Sequence, residues 1–96
     1  MNRSERIEAL LTETLSPLHL EVVDDSHAHA GHAGHGGAGH FRVRILSERF
    51  RGLPVLARHR LVYEALRPLI PAEVHALSIE ADAPGERASP PPFIDT

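Results

Sequence analysis

No cysteine occurs anywhere in the chain. That excludes disulfides and any metal site built from the protein's own thiolates. It also suits a reducing compartment, so a cytoplasmic location is expected. Lysine is absent too, and all ten basic residues are arginine. No long apolar run is present, and the opening MNRSERIEALL turns acidic at Glu5. Neither a signal peptide nor a transmembrane helix is expected, and no membrane role. None of Ser4, Ser16, Ser26, Ser47, Ser78 and Ser89 lies in a nucleophile-elbow context. The glycines of GHGGAGH lack the strand–turn–helix setting that lets such loops hold phosphate. No internal repeat is visible, and catalysis is not expected.

What remains is a 96-residue chain with room for one small core. Its net charge of −3 is unevenly spread. Residues 41–67 hold seven arginines against Glu48 and Glu64, while the segments on either side are acidic. Arginine forks suit phosphate or carboxylate recognition, which makes Arg58, Arg60 and Arg67 candidates for a nucleic-acid or partner surface. The plainer reading is a solvated helix face in an arginine-preferring genome.

Hydrophobic periodicity orders the chain. Asn2 or Ser4 can cap a first helix whose Ile7, Leu10, Leu11 and Leu15 form one stripe, and Pro17 ends it. LHLEVV (18–23) alternates as a half-buried strand with Leu18, Leu20 and Val22 inward. FRVRIL (41–46) repeats the pattern, with Phe41, Val43 and Ile45 inward and Arg42 and Arg44 outward. VLARHRLVYEALRPL is a second helix, with Val55, His59, Val62, Tyr63 and Leu66 on one face. HALSIEAD is a third strand, with Leu77, Ile79 and Ala81 inward. The expected fold is α/β (α+β), a single domain over residues 1–83 in the order α-β-β-α-β. Its three-stranded mixed sheet pairs the first two strands antiparallel and the last two parallel, with both helices on one face. Residues 84–96, rich in proline, read as a disordered tail.

Between the first two strands lies DDSHAHAGHAGHGGAGHFRV, which holds five of the eight histidines. A connection over 27–39 is far longer than a turn needs, and glycine keeps it mobile. Its H-x-H-x2-H-x2-H run can chelate divalent metal weakly, as His-rich tracts do without any biological role. His75 shares strand parity with Leu77 and Ile79, so it reads either as a ligand or as a histidine at the edge of the core. His59 reads as structural, His40 as holding the base of the loop, and His19 carries no assignment.

DDSHAHAGH, HFRVRILSERFRG, RHRLVYEAL and VHALSIEA together resemble the BolA family. The four blocks fall in order over residues 5–82. The resemblance implies a fold similar to class II KH domains and partnership with monothiol glutaredoxins of the CGFS type. It further implies a [2Fe–2S] cluster shared with that glutaredoxin and glutathione, in iron–sulfur handling or stress and iron regulation. The family's two cluster positions correspond to His29 and His75, with His27 and His32 as alternates to His29. Some members of the family bind DNA as transcription regulators, which is the alternative function. Without a partner, a monomer or weak homodimer is expected.

Overall fold

The structure is a computed structural model that describes residues 1–26 and 39–86. The Asn2 side chain accepts from the Glu5 N–H (2.8 Å) while the Glu5 carboxylate accepts from the Asn2 N–H (2.9 Å). This reciprocal cap satisfies donors that a helix start leaves open. It opens α1 (Arg3–Leu15), whose Ile7, Leu11 and Leu15 are buried at four-residue spacing. Ser16, in the left-handed region at φ 46°, closes the helix ahead of Pro17. The chain continues as β1 (His19–Asp24), β2 (Gly39–Leu46), a 3-10 turn (Glu48–Phe50), α2 (Val55–Ala65), a second 3-10 turn (Arg67–Leu69) and β3 (Val74–Asp82).

The sheet order is β1-β2-β3, with β1 and β2 antiparallel and β2 and β3 parallel. Register places Leu20 opposite Ile45 and Val22 opposite Val43 on one side of the central strand. On its other side, Leu77 meets Phe41 and Ile79 meets Val43. That face joins α1 and α2 in one core, where Ile7, Leu11, Phe41, Val43, Ile45, Phe50, Val62 and Leu66 are all 2% exposed or less. Both helices therefore cover the same face, as the strand alternation and helix stripes imply. Ser47, also fully buried, donates to the Leu15 carbonyl (2.6 Å), so a strand-end hydroxyl satisfies the C-terminus of α1.

Four expectations are corrected. Leu18 lies before β1 and is exposed, so that strand's inward set is Leu20 and Val22. In α2, Val55 and Tyr63 are exposed; the inward stripe is Arg58, Val62, Ala65 and Leu66, continued by Leu69. The helix is rotated from the expected phase because the arginine stem, and not Val55, occupies the inner position of the first turns. Arg44 points to the open face as expected, yet it is only 6% exposed. Finally, the start of the expected tail is not free of the fold: Glu86 is docked on α2 through Arg58. The rest of the expected tail, residues 87–96, lies outside the described residues.

That last contact makes a pH prediction. The Glu86 carboxylate takes both Arg58 terminal nitrogens at 2.6 Å and accepts the Ala83 N–H at 2.9 Å. The Arg58 hydrogen bonds, aided by the Ala83 N–H, pull Glu86 from 4.5 down to about 2. A carboxylate depressed on folding contributes stability in full above its unfolded value and loses it as pH falls from 4.5 towards 2. Glu86→Gln is expected to lower the melting temperature at neutral pH. The difference from wild type should vanish as the acid window is crossed, as read by circular dichroism melts across pH. A constant difference over that window would show that the pair does not contribute.

Candidate functional site

Residues of β2 that alternate away from the core, His40, Arg42 and Arg44, line the open face of the sheet. Register sets Glu21 and Glu80 directly beside Arg44, one from each neighbouring strand. Arg44 donates to Glu80 at 3.0 Å and to Glu21 at 3.5 Å, which accounts for its burial on a nominally wet face. Arg42 pairs with Asp25 (3.3 Å), just past β1. At the same end, the sheet has an irregularity. Gly39 is opposite Val74, but His40 is opposite Ala76. The extra residue on β3 is His75, and a bulge of this kind re-aims a side chain. His75 is exposed, and its ring centroid lies 5.8 Å from that of His40, with the planes tilted by 54°.

The ends of the 27–38 connection stand at the same place. The Asp25 N–H donates to the His40 carbonyl (2.7 Å), and the His40 N–H donates to the Ser26 hydroxyl (3.3 Å). Beside them Asp25, His40, Phe41, Arg42, Ala76, Leu77 and Ser78 line a recess of ≈ 130 Å³. Gly39 enters the sheet under the Phe41 ring. A Cβ there would overlap that ring and come within 2.9 Å of the Glu73 carbonyl oxygen. Gly39→Ala is therefore expected to cost about 1–3 kcal/mol in urea unfolding. A variant with an unchanged midpoint would contradict this packing.

His29, with its alternates His27 and His32, falls in residues 27–38 and so lies outside the described residues. Of the remaining histidines, His59 is half-buried on α2 and His19 is exposed, 3.3 Å from Glu21. Among the described residues no three His, Asp or Glu side chains are placed to hold a metal ion together. One exposed imidazole with a second beside it, in a chain without thiolates, fits a cluster site only as a share of one.

The arginine candidates separate. Arg58 leaves the candidate surface: its side chain is 11% exposed, and it donates to the Leu53 and Ala81 carbonyls (2.8 and 3.0 Å) besides Glu86. Hydrogen bonding to Glu86 also raises its pKa. Arg67 is exposed but pairs with Glu64, and Arg60 is exposed on α2. Of the seven arginines between 41 and 67, Arg42, Arg44, Arg51, Arg58 and Arg67 are all paired with carboxylates. Arg42, Arg44 and Arg58 take acids from the flanking segments, whereas Arg51 and Arg67 pair with Glu48 and Glu64 of the same stretch.

Sequence reasoning missed the neighbourhood of His40 and His75. A signal existed: pairing Phe41 with Leu77 and Val43 with Ile79 sets His40 against Ala76, one residue from His75.

The family profile described as BolA-like protein matches residues 11–86. This chain belongs to the BolA family. A relative from Sinorhizobium sp., "Uncharacterized protein in cobS 5'region", is 46% identical over 89 residues, covering 90% of this chain and 96% of the relative. The solved BolA domain of SufE1 from Arabidopsis thaliana matches with TM-score 0.80 and 42% identity, over 91% of this chain and 98% of that one. The solution structure of mouse BolA1 matches with TM-score 0.69 and 45% identity, over 84% and 64%. The BolA-like chain spans 24% of the full Arabidopsis SufE-like protein 1 and 57% of mouse BolA-like protein 1. No helix among the described residues is long and apolar enough to cross a membrane.

Proposed function

We propose that this chain is a non-catalytic cytoplasmic adaptor or regulator that binds a monothiol glutaredoxin of the CGFS type. It co-ligates a [2Fe–2S] cluster with that partner in iron–sulfur cluster assembly, trafficking, or iron and stress regulation. The observation that carries this reading is the bulge that turns His75 outward, beside the two ends of the histidine-rich connection. His75 rides on a strand, while His29, or His27 or His32, belongs in sequence to the connection whose described ends, Ser26 and Gly39, lie at that end of the sheet. The cluster supplies redox-active iron when bound. The residues' part is to present neutral imidazoles at an exposed edge, with the glutaredoxin cysteine and a glutathione thiol completing the set.

The alternative, a KH-like nucleic-acid-binding regulator, needs a basic surface for phosphate. The carboxylate pairing of Arg42, Arg44, Arg51, Arg58 and Arg67 weighs against it. The test is to combine the chain with a CGFS glutaredoxin, glutathione, iron and sulfide and record visible absorption and circular dichroism. The expected result is a spectrum distinct from that of the glutaredoxin alone. Identical spectra, together with salt-dependent DNA retention, would favour the alternative.

A further inference from the structure

We infer that His40 and His75 form a two-imidazole site, spanning β2 and β3, for a single late first-row divalent ion such as Zn²⁺, without any partner protein. With metal–nitrogen bonds of about 2.0–2.1 Å, and a ring nitrogen about 1.1 Å from its centroid, two imidazoles on one ion have centroids roughly 5–6 Å apart. The observed separation is 5.8 Å, with rings tilted and not stacked. His40 is paired with Ala76, and His75 lies between the paired Val74 and Ala76, so the backbones of both are fixed by the sheet. His75 is exposed, which leaves the ion's remaining positions open to water. Imidazole without thiolate suits Zn²⁺, Cu²⁺ or Ni²⁺. Asp25 borders the same recess but is engaged by Arg42, so it is not counted as a ligand.

This site differs from chelation by the histidine-rich connection in a measurable way. Connection histidines close in sequence remain close when the chain unfolds. His40 and His75 meet only in the folded sheet. An ion held by the pair therefore binds the native state alone and raises the melting temperature, by an amount that grows with free metal over its dissociation constant. Chelation by the connection in both states leaves it unchanged.

The experiment uses the full chain carrying His27→Ala, His29→Ala, His32→Ala and His35→Ala, titrated with Zn²⁺ and followed by thermal melts and calorimetry. Zn²⁺ is expected to raise the melting temperature of this background. Adding His75→Asn or His40→Asn should remove the rise and weaken Zn²⁺ by at least the 10–100-fold that loss of an outer-shell partner costs. His75 is exposed, so His75→Asn is the arm that keeps its fold should His40→Asn not. No Zn²⁺-dependent rise in the background, or a rise that survives His75→Asn, would overturn the inference. No glutaredoxin is present, so this outcome is independent of whether the chain shares a cluster.

Discussion

His75→Ala is expected to lose the visible absorption and circular dichroism of the shared cluster while its far-UV spectrum stays that of wild type. The bulge sets this imidazole on a strand end, where no other residue of β3 can take its place. Being exposed, it contributes nothing to the apolar core, so the fold should survive its removal. His29→Ala should be milder, because His27 and His32 flank it in a glycine-rich connection and can substitute at a modest cost in ordering. Removing His27, His29 and His32 together should then match the His75 defect. A folded His75→Ala protein with an undiminished cluster signal would sink this assignment, and a collapsed fold would mean that His75 is structural after all.

The largest effect on stability is expected from Leu66→Ala. Leu66 is 0% exposed at the end of α2, in the core shared by both helices and the sheet. Truncating a buried leucine costs about 2–5 kcal/mol, the lost transfer energy plus the cavity left behind. A core this small supplies little more than about 3–5 kcal/mol in total. Much of the population should therefore unfold at room temperature, seen as a urea midpoint shifted towards zero. Leu56→Ala is the control. That side chain is 63% exposed, and its loss should change stability by no more than about 0.5 kcal/mol. Equal midpoints for the two variants would contradict the assigned core.

Strand alternation made most of the sheet legible. Phe41, Val43 and Ile45 declare their face by side-chain period alone, and Leu77 and Ile79 follow once the strands are paired. The helix α1 was legible for a similar reason, with its cap and stripe in one short segment. The phase of α2 was not. Arg58 heads the buried stripe, because its stem packs inward while its guanidinium satisfies carbonyls and Glu86. Pattern reading treats an arginine as outward and so prefers Val55 and Tyr63. Arg44 shows the same limit: only the register reveals that Glu21 and Glu80 close over it.

At the candidate site, parity misleads for a different reason. His75 has the parity of the core-facing Leu77 and Ile79, and one extra residue in the ladder is enough to turn it out. A bulge leaves no mark in a single strand's hydrophobic pattern; it emerges from the pairing with β2. His40, read as the foot of the connection, does stand there, and its closeness to His75 follows from that same irregularity.

Native mass spectrometry of the reconstituted wild-type mixture tests the central claim most directly. If the cluster is shared, the spectrum shows one copy of this chain with one glutaredoxin, one glutathione and one [2Fe–2S] cluster, and His75→Ala removes that species. A cluster found only on glutaredoxin dimers, with this chain left metal-free beside them, would contradict it.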